Sequence, residues 1–277
     1  MIMRRIASVV GILMIAGCQT SPDTPPAQDQ GAQVAAIFNG TAGTWVDLTH
    51  SFSEKSVFWP TDTTGFKLEE LAYGKTEGGW FYSSYRYSAA EHGGTHLDAP
   101  IHFAEGRQAN DQIPLSSLIG PAAVVDVSKQ AHPDYLITIE DFTSWEGEHG
   151  QIPDGAILLV RTGWGSRYQD RAAYLGTDLT GPEAVPELHF PGLSAEAAEW
   201  LVKNRKIDAF GIDTPSIDYG QSKDFRAHVI LYQENIPGFE NLANLDQLKP
   251  VGSYIVALPM KIEGGSGGPL RIVGYVP

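Results

Sequence analysis

The chain contains almost no cysteine and few basic residues. Cys18 is the only cysteine among 277 residues, which excludes an internal disulfide framework. Lysine and arginine together number 19 against 33 aspartates and glutamates, and the formal net charge is −14. Nucleic acids and anionic membrane surfaces bind concentrated lysine and arginine, so this balance argues against both classes of partner. The 42% apolar content is that of an ordinary globular protein whose length permits a sizeable core.

The N-terminal region lacks a hydrophobic run long enough to span a bilayer comfortably. Arg4 and Arg5 precede an apolar run over residues 6–16, an arrangement typical of a secretory signal. Cys18 then follows in the sequence IAGC, which resembles the lipobox of bacterial lipoproteins. That resemblance implies a signal peptide at residues 1–17 and a lipid on Cys18. The alternative is a plain signal peptide with an incidental cysteine.

The segment after Cys18 has little to bury. Residues 19–37 are rich in proline, glutamine and alanine, which predicts a flexible tether over residues 18–43. We expect a lipoprotein of the bacterial cell envelope that faces the periplasm and meets the membrane only through its N-terminal lipid.

From Thr44 onward the chain alternates short apolar runs with turn residues. The runs AAVVDVS, AILLVRTG, IDAFGID, SYIVALPM and LRIVGYV are rich in branched residues and predict strands. A helix is predicted from Ser194 as its N-cap, with Glu196 in the first turn. We therefore predict one α/β domain with a mixed sheet over residues 44–277.

The stretch EHGGTHLDAPIHF, residues 91–103, concentrates three of the eight histidines and one aspartate. Neutral imidazoles and carboxylates are ligands for a divalent metal, and this set suits zinc or manganese. Gly93, Gly94 and Pro100 disfavour a helix, whereas an extended segment would send positions 92, 96, 98 and 102 to one side. The alternative is a set of surface or core histidines satisfied by hydrogen bonds.

A further histidine falls on a predicted helix. In KDFRAHVILYQENI, the residues Phe225, His228, Val229 and Tyr232 recur at i, i+3, i+4 and i+7. His228 would therefore lie on the apolar, buried side of that helix. It is either satisfied within the core or directed at a buried group.

Several ordered motifs together resemble the metal-dependent cyclase family, which includes kynurenine formamidases and isatin hydrolases. They are HGGTHLDAPIH, VFWP, GIDTPSIDYGQS, AH, FENLANLDQL and ALPMKIEGGSGGPLRIV, and they extend over most of residues 44–277. The resemblance implies a swivelling β/β/α fold in a homodimer or higher homo-oligomer. Two of these motifs, DTPSIDYGQS and the carboxy-terminal KIEGGSGGPLRIV, are more similar to those of isatin hydrolases than to those of kynurenine formamidases.

The resemblance also assigns roles by position. It implies that His92, His96 and Asp98 hold a first metal, and that His228 and Glu240 share Asp98 in a second site where two ions are present. The cofactor is then Mn²⁺ or Zn²⁺, as one or two ions. His102 matches the proton-transfer residue, while Trp59, Phe58 and Ser216 match or adjoin substrate-contacting positions. Trp80, Phe81 and Tyr82 are additional candidates for an aromatic pocket wall.

The activity implied is hydrolysis of a C–N bond other than a peptide bond. Opening of a cyclic amide of an aromatic compound, such as isatin to isatinate, is the first expectation. Arylformamidase activity on N-formylkynurenine is the alternative within the enzyme class, and a non-catalytic envelope lipoprotein that binds metal or a small molecule is the alternative outside it.

A serine hydrolase is a weaker hypothesis. GGSGG at residues 264–268 satisfies GxSxG, but a nucleophile elbow requires a helix after the serine and a histidine further along. Pro269 and a strand-like run follow Ser266, and no histidine lies beyond His228. We expect instead a turn that brings backbone near the active site.

Overall fold

The computed structural model describes residues 27–277, so the predicted signal peptide and the predicted lipid attachment at Cys18 lie outside the described residues. The chain divides into two units, residues 1–42 and residues 43–277. The described part of the first unit is helix α1 (Ala27–Phe38) and the turn that follows it. Over these residues the structure differs from the flexible tether that we predicted, because alanine and glutamine are good helix formers. Within residues 27–277, no helix combines the length and the apolar character needed to cross a membrane.

The second unit mixes strands and helices in the order expected of an α/β fold. Its helices are α2 (Ile139–His149), α3 (Arg171–Leu175), α4 (Ala195–Asn204) and α5 (Arg226–Gln233). Its strands are β1 (Thr44–Asp47), β2 (Lys67–Lys75), β3 (Phe81–Ser88), β4 (His96–Asp98), β5 (Ile119–Asp126), β6 (Leu136–Ile137), β7 (Ile157–Arg161), β8 (Gly192–Leu193), β9 (Ala209–Ile212), β10 (Gly238–Glu240), β11 (Val251–Pro259) and β12 (Gly267–Val276). The predicted α/β domain with a mixed sheet is confirmed.

The main sheet closes on itself. Its strand order is β1-β12-β11-β5-β7-β9-β10-β4, and β4 also pairs with the first residues of β12. The β5–β7, β7–β9 and β9–β10 pairs are parallel, while the other pairs are antiparallel. The double pairing of β4 turns an open sheet into a barrel-like ring, with β4 at the point of closure.

Both faces of the central strands are buried. In β7, Leu158 and Val160 pack with helices α2, α4 and α5, whereas Ile157 and Leu159 pack inside the ring. A parallel strand that is covered on both faces has apolar residues at successive positions, not only at alternate ones. The apolar run in AILLVRTG therefore predicted this strand.

The predicted start of α4 is confirmed, whereas α5 begins later than its apolar pattern suggested. Ser194 is the N-cap of α4, and its hydroxyl accepts a hydrogen bond from the Ala197 backbone N–H at 3.1 Å. Helix α5 begins only at Arg226, because Phe225 adopts a left-handed conformation at φ 48°. The buried side of α5 therefore includes His228 and Tyr232 but not Phe225, which turns toward the cavity described below.

Strands β2 and β3 form a hairpin separate from the main sheet. Their register places five large side chains on one face, all exposed: Leu68 56%, Tyr73 65%, Phe81 57%, Tyr85 43% and Tyr87 47%. This hairpin is called the aromatic arm below. Strand β3 ends just before the histidine-rich segment, so the base of the arm adjoins the candidate site.

Candidate active site

Strand β4 brings two of the predicted ligands to the closure of the ring. His96 and Asp98 are two residues apart and therefore project to the same side of the strand. The antiparallel register with β10 places Glu240 directly opposite His96. All three side chains are buried. Sheet pairing therefore positions a histidine and two carboxylates that are far apart in sequence.

His92 reaches the same place through a turn. Gly94 has φ +59°, which a residue with a side chain rarely adopts, and a Cβ on Gly93 would lie 2.0 Å from the Phe58 ring. The extended segment that we predicted for positions 92, 96, 98 and 102 is therefore wrong, since β4 covers only residues 96–98. His102 instead ends a short 3₁₀ turn, Pro100–His102.

The five residues that the resemblance assigned as ligands converge. His92 Nδ1 lies 2.6 Å and His96 Nε2 3.1 Å from Asp98 Oδ1. His228 Nε2, delivered by α5, lies 3.1 Å from Glu240 Oε1 and 3.5 Å from Asp98 Oδ2. Two groups of donor atoms result, each within 4.8 Å: His92, His96, Asp98 and Asp98, His228, Glu240. Asp98 belongs to both.

The buried carboxylates of this cluster need a positive charge close to them to remain ionised. Burial by itself lowers the pKa of His96, but the hydrogen bond and charge of Asp98 and the charge of Glu240 raise that pKa to about 9. Burial raises the pKa of Asp98, yet the charge of His92 and hydrogen bonds from the surrounding histidines hold the pKa well below its usual range. Buried carboxylates are thus stabilised as anions only while a cation, either a proton on histidine or a metal ion, lies among them.

The donor set fits a divalent metal. His96 Nδ1–H donates to the Gly94 carbonyl at 3.0 Å, so its buried Nε2 faces Asp98 Oδ1 at 3.1 Å and Glu240 Oε2 at 3.4 Å. His228 Nδ1–H donates to Asp218 at 2.6 Å and leaves Nε2 facing Asp98 and Glu240. Histidine ligands in metal sites are held in this way by a partner on the opposite ring nitrogen.

His102 lies beside this cluster. Its ring stacks on that of His92 with centroids 3.7 Å apart and planes 17° apart. Burial lowers the pKa of His102 to about 4, against the smaller opposing effect of Asp98. The ring is therefore neutral near pH 7 and can accept a proton.

A cavity of about 310 Å³ opens onto the cluster. The five candidate ligands and His102 line it together with Trp59 and Ser216, two of the three residues predicted to contact substrate. Its aromatic wall is formed by Trp59, Phe103 and Phe225, with the Phe225 ring 6.1 Å from Trp59 and 5.2 Å from Phe103. An apolar cavity with a few convergent polar groups is the usual form of a small-molecule site.

Other predicted wall residues lie elsewhere. Phe58 is buried behind Gly93 and is not among the residues that line the cavity, so its contact is with the ligand-bearing turn. Trp80, Phe81 and Tyr82 belong to the aromatic arm, where each is more than half exposed. An aromatic run in sequence does not say which surface the rings cover, and here the hairpin directs them outward.

Sequence reasoning missed several supporting residues. Asp218 accepts hydrogen bonds from both His228 Nδ1 and the His228 backbone N–H, and Tyr232 donates its hydroxyl to Asp98 Oδ2 at 2.9 Å. The spacing of His228 and Tyr232, one helical turn apart, was the available signal for Tyr232. The helical pattern placed Phe225 on the buried side of the helix, and no signal placed Phe225 or Phe103 in a cavity, because their positions there depend on the late start of α5 and on the 3₁₀ turn.

The chain is similar to proteins of known activity over most of its length. A family model described as "Putative cyclase" matches residues 46–219. The chain is 40% identical over 197 residues to an isatin hydrolase of Roseibium aggregatum, covering 68% of this chain and 72% of that protein. It is 32% identical over 232 residues to a kynurenine formamidase of Salinibacter ruber, a match that covers 82% of this chain and 95% of that protein. The solved structure of isatin hydrolase A from Ralstonia solanacearum matches with a TM-score of 0.79 and 34% identity, covering 93% of this chain and all of that one.

Proposed function

Because this chain belongs to the cyclase family, we propose that it is a metal-dependent amidohydrolase that opens the cyclic amide of an aromatic compound, converting isatin or a close analogue to the isatinate. The observation that supports this most directly is the convergence of three histidines and two carboxylates on an aromatic-walled cavity. The 40% identity to an isatin hydrolase favours the cyclic amide.

The metal we propose is Mn²⁺ or Zn²⁺, as one ion or two. Imidazole with carboxylate suits either metal, and Asp98 belongs to both donor groups, so one ion or a pair sharing this carboxylate is compatible with the residues present. When bound, such an ion lowers the pKa of a coordinated water and polarises the carbonyl that the water attacks.

The residues of the chain supply binding and proton transfer. Trp59, Phe103 and Phe225 offer flat apolar surface to an aromatic ring and exclude water from the reacting carbonyl. His102, neutral near pH 7, accepts a proton from the attacking water and returns it to the leaving nitrogen as the amide bond breaks. Ser216, which also lines the cavity, offers a hydroxyl to the polar edge of the substrate.

A substrate panel tests this proposal. The full-length chain, loaded with Mn²⁺ or with Zn²⁺, is given isatin, N-formylkynurenine and a simple lactam, and hydrolysis is followed by absorbance. We expect isatin to have the highest kcat/KM. A higher value for N-formylkynurenine would make the chain an arylformamidase, the second candidate, which is favoured by the match to 95% of a kynurenine formamidase.

The remaining candidate is an envelope protein that binds metal or a small molecule without catalysis. His102 argues against it, because a binding protein needs no proton acceptor beside a complete ligand set. Metal binding without hydrolysis of any compound in the panel would support it.

We also propose that the enzyme assembles as a homodimer or higher homo-oligomer, with the aromatic arm covered by a second copy. A two-stranded hairpin is marginally stable alone, and the five large exposed side chains on one face of this one would be buried by a partner surface. Tyr85→Glu should shift the molar mass measured by light scattering toward that of a monomer. Arg86→Gln makes the same change in charge on the opposite face of the arm and should leave the mass unchanged.

The cellular location that we propose is the bacterial envelope, with the enzyme facing the periplasm and attached by lipid on Cys18. The support is the sequence alone: the IAGC motif after the apolar run of residues 6–16. Two or three acyl chains anchor a protein far more firmly than one.

A further inference from the structure

His92 enters the ligand cluster differently from the other two histidines. His96 and His228 face the carboxylates with Nε2, and each has its Nδ1 held by a partner outside the cluster. His92 faces Asp98 with Nδ1 instead, at 2.6 Å. As a metal ligand, His92 would therefore bind through the lone pair of Nδ1 and carry its proton on Nε2, the opposite arrangement to His96 and His228.

The partner on His92 Nε2 is the hydroxyl of Ser266, at 2.9 Å. Ser266 Oγ in turn lies 2.6 Å from Glu91 Oε2, and the Ser266 backbone N–H donates to the same carboxylate oxygen at 3.0 Å. Glu91 and Ser266 are 175 positions apart in sequence and meet at the start of β12.

The direction of these hydrogen bonds follows from what each group can do. A hydroxyl has a single proton, and the Ser266 hydroxyl donates it to Glu91 Oε2. The lone pair of Ser266 Oγ then accepts from His92 Nε2–H. A histidine with its proton on Nε2 has the lone pair on Nδ1, the nitrogen that faces the cluster.

We propose that Glu91 and Ser266 form a relay that fixes His92 as an Nδ1 metal ligand. The inference rests on the metal-binding part of the proposed function. The two residues act through His92, so they are positioning residues.

The geometry also argues against Ser266 as a nucleophile. Its proton is directed to Glu91 rather than to His92, and Ser266 is not among the residues that line the cavity. β12 follows Ser266, as the sequence indicated, instead of the helix of a nucleophile elbow. The neighbouring Gly267 leaves room for the imidazole, since a Cβ there would lie 2.6 Å from His92 Cε1.

Loss of the hydroxyl should weaken metal binding. Ser266→Ala leaves His92 Nε2–H without its partner, and the ring is then free to take the other tautomer or to rotate. Removal of such an outer partner of a histidine ligand typically lowers metal affinity by about 10- to 100-fold. Glu91→Gln retains an amide oxygen that can still accept from Ser266. This variant should therefore also bind metal more weakly than the wild type, but by a smaller factor than Ser266→Ala.

The test is a metal titration of the full-length apoprotein against a chelator of known affinity, with Mn²⁺ and then Zn²⁺. Ser166→Ala is the matched control, because that hydroxyl donates to the Gly163 carbonyl and lies outside the cavity lining. We expect Ser266→Ala to lose about 10- to 100-fold in affinity, Glu91→Gln to lose less, and Ser166→Ala to match the wild type. Equal affinity in Ser266→Ala and the wild type would overturn the relay.

A second measurement does not depend on any variant folding. Nitrogen-15 spectra of histidine-labelled, Zn²⁺-loaded wild type should identify His92 as protonated on Nε2 and metal-bound through Nδ1. The opposite tautomer would overturn the relay while leaving the proposed activity intact. A wild type that binds neither metal would contradict the proposed function as well, so the two failures are distinguishable.

Discussion

Replacement of His102 by alanine separates proton transfer from metal binding. His102 contacts the cluster by stacking on His92 and offers no donor atom to either candidate ligand group. The His102→Ala variant should therefore keep its metal. Proton-transfer assistance is worth about 100- to 10,000-fold in rate, or roughly 2.7 to 5.4 kcal/mol in activation free energy.

The structural cost of the same change is much smaller. Removal of one stacked ring costs about 0.5 to 1.5 kcal/mol, and His102 is only half-buried. The variant should thus unfold a few degrees lower but remain folded at assay temperature. The increase in activation free energy should exceed the loss of unfolding free energy by about 1 to 5 kcal/mol.

Three quantities are measured on one preparation: metal per chain, melting temperature and kcat on isatin. His132→Ala, an exposed histidine outside the cavity, is the control and should change none of them. Near-normal turnover in a metallated, stably folded His102→Ala variant would refute proton transfer by His102. Loss of metal together with turnover would make His102 a ligand instead.

Three further changes test the packing, the charges and the anchor. Gly93→Ala forces a Cβ into the Phe58 ring, so it should destabilise the fold by about 1 to 3 kcal/mol in chemical unfolding, and Phe58→Ala in the same chain should relieve part of that cost. Glu146→Gln breaks the ion pair with Arg205, whose hydrogen bond lowers the pKa of Glu146. The stabilisation from that lowered pKa is fully present above the ordinary glutamate pKa and is lost as the pH falls through the folded-state value, so the variant should cost about 2 kcal/mol in unfolding free energy at pH 7 and progressively less as the pH falls below the ordinary glutamate pKa. Cys18→Ser should release the protein from membranes or leave it unprocessed in cell fractionation, and unchanged partition with membranes would count against lipid on Cys18.

The strands and the candidate ligands could be predicted because local sequence was sufficient for each. Strand β7 is covered on both faces over residues 157–160, and these four residues are all apolar. Ser194 has an acceptor hydroxyl at the place where a helix begins, and the N-cap follows from that chemistry. The candidate ligands were assigned from residue type and from the family resemblance, without any knowledge of their distances.

What the sequence could not indicate depends on long-range geometry. The closure of the ring by β4 sets Glu240 opposite His96, and the β12 register brings Ser266 to His92. The even spacing of positions 92 to 102 suggested one extended strand, but the left-handed Gly94 turns the chain before β4 begins. Pairing between distant strands, rather than local preference, decides these contacts.

The most direct test of metal-dependent hydrolysis at this cluster is a titration of isatin turnover against metal. The full-length protein is stripped with chelator, dialysed and given increasing equivalents of Mn²⁺ or Zn²⁺, and Glu240→Gln is titrated in parallel. Turnover should be absent from the stripped protein, rise with bound metal until one or two ions per chain are bound, and require more metal in Glu240→Gln, because one of the two cluster carboxylates has lost its charge. Undiminished turnover in the stripped wild type would contradict metal-dependent catalysis at this cluster.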